Sequence, residues 1–225
     1  LVLAAKYQND LESTLNNITI GIKNATIKTR VKEAKKAKTK VEKTIEYYGA
    51  DAQYMGDYLG GRILVDTLED VNKVFRAARE QDIKIVDIEN YFVNTKDSGY
   101  RAIHFNMVTR EGFSMEVQIQ HKDLAAVFEQ GKAYRKYKEK VKLTKAEEAD
   151  RAKLAAEDKI LFDETYNQIK QREGVIDDVD NIEIVVGEKL QGDEITNVTQ
   201  TLKQFKDDVD NDNLVIGELI KRDCL

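Results

Sequence analysis

An α/β fold with a mixed central sheet is predicted by three observations. Short β-prone runs alternate with helical spacing through the middle of the chain, glycine-containing turns separate them, and long stretches rich in Ala, Lys, Glu and Leu lie on both sides. With 225 residues, 41% of them apolar and 34% charged, the chain suffices for one domain plus a smaller appendage, which excludes disorder throughout.

From Asp10 to Tyr48 glycines are few and good helix formers abundant, so two helices are expected there, broken around Gly21 to Thr29. Gly60-Gly61 then introduces the short strand Arg62 to Val65, and Thr67 with Asp70 forms a helix start ahead of Val71, Val74, Phe75 and Ala78. Ile83 to Ile88, Ala102 to Val108 and Phe113 to Ile119 follow as strands, with Glu111-Gly112 as a hairpin turn between the last two. Lys122 to Lys142 returns to helical spacing, with Leu124, Val127, Phe128 and Tyr134 as its apolar stripe. Residues 145–172 read as a long polar helix, and 173–225 as a small separate unit or docked extension.

The net charge of −5 argues against a general nucleic-acid or membrane coat. Its distribution is uneven: residues 173–225 carry 14 acidic and 5 basic side chains, leaving the first 172 residues net positive. The single cysteine, Cys224, excludes an intrachain disulfide, so a cytosolic protein is expected. No apolar run approaches the roughly 20 residues of a membrane helix, and no signal peptide is recognisable.

Chemistry is suggested first by charge. Arg30 to Lys43 contains one arginine and six lysines; on a helix, Lys32, Lys36, Lys40 and Lys43 fall within about an 80° arc. Like charges so arranged repel, and a polyphosphate would neutralise them, although a solvated lysine face is the commoner fate of such a segment. In the strand Ser114 to Gln120, Glu116, Gln118 and Gln120 share one face by period two, while Met115, Val117 and Ile119 share the other. Asp57 and Glu116 near a basic stripe are the parts of a metal-dependent phosphoryl-transfer site, while a lone acid is more often one half of a surface ion pair. The most specific run is Tyr91 to His104: Lys96-Asp97-Ser98-Gly99 forms a polar turn, and Tyr100 and His104 share side-chain parity on the strand that follows. An aromatic plane beside an imidazole suits a base-stacking platform with a phosphate or hydroxyl contact beyond it.

Asp57-Tyr58-Leu59-Gly60-Gly61-Arg62-Ile63, the run Tyr91 to His104, Glu116-Val117-Gln118-Ile119 and the closing Tyr137-Lys138 together resemble the RelA/SpoT nucleotide pyrophosphokinase domain, in the same order and at nearly the same spacing. The resemblance covers about residues 28–140. It implies an α+β, nucleotidyltransferase-like fold: a mixed, mostly antiparallel sheet of about five strands flanked by helices, with a synthetase domain over 1–145 and a helical linker plus acidic C-terminal extension over 146–225. It also implies transfer of the β,γ-pyrophosphate of ATP to the 3′-hydroxyl of a purine nucleotide, with Mg²⁺ as cofactor and AMP as the second product. By that resemblance Arg30 and Arg62 would sandwich the donor adenine, and Lys32, Lys40 and Lys43 would hold its triphosphate. Asp57 would coordinate the metal, and Glu116 would assist the metal or take the acceptor proton. Tyr100 would stack on the acceptor base, with Lys96, His104 and Gln118 nearby.

The departures from the family pattern concern the acceptor side. Gln120-His121 stand where Arg-Thr is usual, so one cation is missing, for which His121 is a candidate substitute; Thr95 and Ser98 replace a proline and an asparagine of the acceptor loop. The only histidines are His104 and His121, with no His-Asp pair, so the hydrolase domain of the long bifunctional members is not expected. A synthetase without an eraser resembles the small alarmone synthetases and the toxic, effector- or phage-borne members. Guanine nucleotides, adenine nucleotides and the 3′ end of tRNA stay open as acceptors, as does a catalytically weakened nucleotide-binding module. An immunity or antitoxin protein is a candidate partner, and the basic cluster from Lys132 to Lys145 a candidate RNA guide, with a solvated helix the blander reading.

Overall fold

The computed structural model describes residues 2–33, 58–81, 83–109, 113–137 and 143–174. Its elements run α1 (Val2–Ile18), β1 (Thr26–Val31), β2 (Leu59–Val65), α2 (Leu68–Arg79), β3 (Lys84–Asn90), β4 (Ile103–Val108), β5 (Ser114–His121), α3 (Lys122–Gln130), α4 (Lys132–Tyr137) and α5 (Lys145–Glu173). Among the described residues, five strands form one sheet in the order β1-β2-β5-β4-β3. Only β2 and β5 pair in parallel; the other three pairs are antiparallel, so the expected mixed, mostly antiparallel sheet is what the chain forms.

Two stretches depart from the expected elements. Residues 26–31, expected to lie within or beside a break between helices, form the edge strand β1. Ile27, Thr29 and Val31 turn inward while Thr26, Lys28 and Arg30 face solvent, the period-two alternation of a half-buried strand. Arg30 therefore stands on a strand and not on a helical stripe; Lys36, Lys40 and Lys43 lie outside the described residues, as do Asp57, the Glu111-Gly112 turn and residues 175–225. The helix expected over 122–142 is interrupted at Gly131, whose ψ of 127° ends α3. Beyond it, the buried Asp158 of α5 accepts from the backbone N–H groups of Lys132 and Ala133, both at 2.9 Å, and satisfies the first donors of α4.

Helices α1 and α2 cover one face of the sheet. The buried residues Tyr7, Leu11, Leu15 and Ile18 recur every three or four positions and set one stripe of α1 on the strands. Leu11 and Leu15 expose no surface, and burying each stabilises the fold by roughly 1.5–3 kcal/mol. Gly61 makes that contact close: a Cβ there would lie 2.5 Å from Leu15 Cδ1. Helix α2 starts where expected, with the Thr67 hydroxyl accepting from Asp70 N–H at 3.1 Å, and buries Leu68, Val71, Val74, Phe75 and Ala78. Ile63, Phe105, Val117 and Ile119 meet these helices from the sheet.

The opposite face holds the alternate residues Gly60, Arg62, His104, Glu116, Gln118 and Gln120. Helix α5 stands at its edge, opened by a Thr144–Glu147 capping box and closed by Gly174 in the left-handed conformation. Its Phe162, Tyr166 and Ile169 join the same core, and Asp163 pairs with Arg101 at 2.8 Å. Among the described residues, no helix is long and apolar enough to cross a membrane.

Candidate active site

Strand register brings the polar side chains into two rows across the open face. Arg30 pairs with Gly60, Gly60 with Glu116 and Glu116 with Asn106; one step along, Lys28 pairs with Arg62, Arg62 with Gln118 and Gln118 with His104. Directly paired residues point to the same face, so Arg30, Arg62, Glu116, Gln118 and His104 converge although they come from four strands. Gly60 leaves the slot between Arg30 and Glu116 unfilled: a Cβ there would sit 3.6 Å from Arg30 Nε and 3.8 Å from the Glu116 carbonyl. The slot is a cavity of about 260 Å³ lined by Lys28, Arg30, Gly60, Arg62 and Glu116.

A larger cavity of about 790 Å³ adjoins it and shares Arg30, Arg62 and Gln118. Lys96, Tyr100, His104, Phe128 and Tyr134 line its sheet side, and Arg151, Ala155 and Lys159 of α5 its far wall. The Arg62 guanidinium lies 5.9 Å from the Phe128 ring centre and 3.7 Å from Glu129. Lys96 Nζ lies 4.2 Å above the Tyr91 ring and 5.7 Å from that of Tyr100.

Glu116 is the electrostatic centre. His104 Nδ1 and Gln118 Nε2 each approach its Oε1 at 3.2 Å. Burial pushes its carboxyl up, but the hydrogen bonds from His104 and the Gln118 amide and the charge of Arg30 outweigh that and bring it down to about 2. It is a carboxylate at neutral pH, in a slot lined by Arg30 and Arg62. Glu116 and Gln118 are reached from sequence by period two alone.

The structure groups Arg30, Arg62, Lys96, Tyr100, His104, Glu116 and Gln118 around the two cavities. Lys32 follows β1, and its N–H donates to the Tyr58 carbonyl at 2.7 Å. Lys40, Lys43 and Asp57 lie outside the described residues. Tyr100 differs from the exposed platform expected of it. It is 6% exposed, with Tyr91, His104 and Phe162 edge-on to its ring and Phe128 tilted against it. The reason is Gly99, whose φ of +74° brings the loop against Lys159 and Phe162 of α5. Burial raises the Tyr100 hydroxyl well above its ordinary value.

His121 does not substitute for a phosphate-binding cation. It has the parity of Val117 and Ile119, so it points to the helix-covered face, is 1% exposed, and meets Glu173 at 3.2 Å. In the basic cluster, Lys132 pairs with Glu157 and Lys136 with Asp150, both at 2.8 Å, which favours the solvated-helix reading for those two. Residues not singled out from sequence are Lys28, which the alternation of β1 would have marked, and Phe128, Arg151 and Lys159, for which the cavity is the only signal.

Among the described residues no group of three or more His, Cys, Asp or Glu could hold a metal ion. The Glu116 carboxylate beside Arg30 and Arg62 is the kind of donor Mg²⁺ takes, since that ion keeps several waters and is held by one or two carboxylates plus substrate phosphates.

Comparison with known proteins bears on the same segment. A family model described as a region found in RelA / SpoT proteins matches residues 29–142. Among solved structures, small alarmone synthetase 1 from Bacillus subtilis, bound to its product pppGpp, is 20% identical, with 78% of this chain and 96% of that chain covered and a TM-score of 0.54. Small alarmone synthetase 2 from the same organism is 20% identical over 77% of this chain and 96% of that chain, with a TM-score of 0.56. The protein smu.1046c from Streptococcus mutans UA159 is 21% identical over 76% and 93%, with a TM-score of 0.52. At about one fifth identity these likenesses establish the fold. No curated protein matches the chain.

Proposed function

The chain belongs to the RelA/SpoT family, and from that premise we propose that it is an ATP-dependent pyrophosphokinase acting on the 3′-hydroxyl of a purine nucleotide. The observation that carries the proposal is the position of Glu116: an ionised carboxylate in an arginine-lined slot, one register step from the residues that open onto the larger cavity.

ATP occupies the smaller cavity and its mouth, with Arg30 and Arg62 at the adenine and Lys32, Lys40 and Lys43 toward the triphosphate. The acceptor occupies the larger cavity, where Lys96 meets its phosphates and Gln118 its hydroxyl, His104 lies beside them with its ring nitrogens on Tyr100 and Glu116, and the aromatic wall of Tyr100, Phe128 and Tyr134 meets its base. The acceptor 3′-oxygen bonds to the β-phosphorus, the bond from that phosphorus to the oxygen bridging to the α-phosphate breaks, and AMP leaves. Glu116 accepts the hydrogen bond of the attacking hydroxyl and orients it, and the hydroxyl proton passes to solvent as the bond to phosphorus forms. Asp57 and Glu116 are the residues that would hold Mg²⁺, which supplies charge neutralisation on the phosphate oxygens. The lysines toward the triphosphate would absorb charge developing on the leaving AMP, so positioning and electrostatics supply most of the rate.

The test is incubation with labelled ATP and GDP, GTP, ADP or tRNA in turn, followed by separation of the products. AMP together with one 3′-pyrophosphorylated acceptor is expected, and the acceptor consumed identifies a (p)ppGpp, (p)ppApp or tRNA-modifying enzyme. Glu116→Gln and Asp57→Asn should abolish transfer with the fold retained. Nucleotide binding without AMP release would instead indicate a non-catalytic nucleotide-binding module, and full turnover in both variants would remove this reading.

A further inference from the structure

Tyr100 is the middle member of a hydrogen-bond chain that ends on Glu116. Gln120 Nε2 donates to Tyr100 Oη at 2.7 Å, Tyr100 Oη lies 2.8 Å from His104 Nε2, and His104 Nδ1 lies 3.2 Å from Glu116 Oε1. The four residues come from one loop and two adjacent strands.

Donor and acceptor roles along the chain are mutually determined. An ionised Glu116 accepts only, so His104 must present its proton from Nδ1. In a neutral ring that leaves a lone pair on Nε2, which the Tyr100 hydroxyl proton satisfies. Having given its proton to His104, the Tyr100 oxygen can only accept from its remaining neighbour, and the Gln120 amide nitrogen supplies that bond. Were the Gln120 amide reversed, Tyr100 would donate to Gln120, His104 would donate from Nε2, and its Nδ1 lone pair would face the Glu116 carboxylate. The direction that satisfies every junction is the one with the Gln120 amide nitrogen toward Tyr100, as the structure has it. It carries a cost: Gln120 is fully buried, and its Oε1 has no partner among the described residues. A Leu or Met would fill the space without that orphaned carbonyl, so packing alone does not account for the amide. The imidazole plane is held as well, with the Tyr91 ring edge-on at 5.0 Å and 89°.

We propose that Gln120 is a positioning residue for the transfer reaction: through the Tyr100 hydroxyl it fixes His104 as the Nδ1–H tautomer, which holds Glu116 facing the acceptor hydroxyl. The role in turnover rests on the reading of Glu116 given above, while the hydrogen-bond chain itself does not.

Two measurements test it on the full chain. Nitrogen-15 NMR of the histidine side chains, with His104 assigned by His104→Gln, should report His104 protonated at Nδ1 in the wild type. An Nε2–H tautomer overturns the proposal. Kinetics of Gln120→Met, Tyr100→Phe and the double variant should then show kcat reduced about tenfold or more in each single variant, with KM for both substrates unchanged and no further loss in the double. Tyr100→Phe keeps the ring, and thermal unfolding recorded beside the kinetics separates a loss of turnover from a loss of fold. Unchanged kcat in both single variants, or fully additive losses, overturns the proposal. Absence of any transfer by the wild type would instead remove the proposed function, and the tautomer would still decide the chain.

Discussion

Glu173 ties the end of the long helix α5 to His121 at the end of β5: its Oε1 lies 3.2 Å from His121 Nε2. Because His121 Nδ1 accepts from the Asp123 N–H at 3.1 Å, the ring proton sits on Nε2 and is donated to Glu173. The second oxygen of the same carboxylate accepts from the Leu68 N–H at 2.8 Å, at the start of α2. One side chain thus joins α5, β5 and α2, with its charge at a helix N-terminus where it is favoured.

Glu173→Ala therefore leaves a buried imidazole N–H and a helix-start N–H without this acceptor. The expected loss is about 1–3 kcal/mol, which for a chain of this size lowers Tm by several degrees. Thermal unfolding followed by circular dichroism checks it; Glu173→Gln, which keeps an acceptor, should lose less. An unchanged Tm in Glu173→Ala would mean the helix end is held by the Phe162, Tyr166 and Ile169 contacts alone.

Gly99 is the point where the loop from Lys96 to Tyr100 touches α5. Its φ is +74°, and an added Cβ would lie 3.0 Å from both Lys159 Cα and Phe162 Cβ. Gly99→Ala should cost at least about 1–2 kcal/mol for the left-handed backbone, before any displacement of the helix. Because Lys96 and Tyr100 flank this turn, KM for the acceptor should rise while KM for ATP stays unchanged. Equal effects on both substrates would mean that the loop and the ATP slot move together.

How much of this was legible in the sequence follows from where each contact partner lies. The face shared by Glu116 and Gln118 follows from strand alternation and was readable, whereas Tyr100, expected on the strand of His104, lies in the loop before β4. The parity of His121 was readable too, and already set it opposite Glu116. The strand β1 carries the same alternation in Ile27, Thr29 and Val31, but it is short and stands beside a lysine-rich stretch whose composition favours helix. What buries Tyr100 was not readable, because Phe162 lies 62 residues further along the chain and only the fold brings them together. The break at Gly131 has the same origin: the Asp158 carboxylate that caps α4 comes from another helix.

The depressed carboxyl of Glu116 gives a pH dependence of defined sign. Its folded value of about 2 lies below the ordinary 4.5, so its contribution to stability is present above the ordinary value and is lost as the pH falls toward 2. The shift corresponds to roughly 3 kcal/mol at neutral pH. Urea unfolding of wild type and Glu116→Gln should differ most at neutral pH and converge between about pH 4.5 and pH 2. Curves that stay parallel would mean that the carboxylate is not held by His104, Gln118 and Arg30 as described.

Arg62 offers a separation of charge from shape in the slot proposed for ATP. Its guanidinium faces the Phe128 ring at 5.9 Å, and it shares both cavities with Arg30. If the two arginines contribute only positive charge, a lysine at either position conserves it. If they clamp a purine between planar groups, a lysine does not, because an ammonium is a point charge without a stacking face. With base stacking worth about 1–3 kcal/mol, Arg62→Lys should raise KM for ATP about tenfold and leave KM for the acceptor and the pH dependence of folding unchanged. Arg30→Lys should act alike, and the two together should not add fully, since the second face of a clamp is worth less once the first is gone. Steady-state kinetics with ATP varied at saturating acceptor reads this directly. An unchanged KM in both lysine variants would keep the arginines as electrostatic elements of the slot and move the adenine elsewhere on the face.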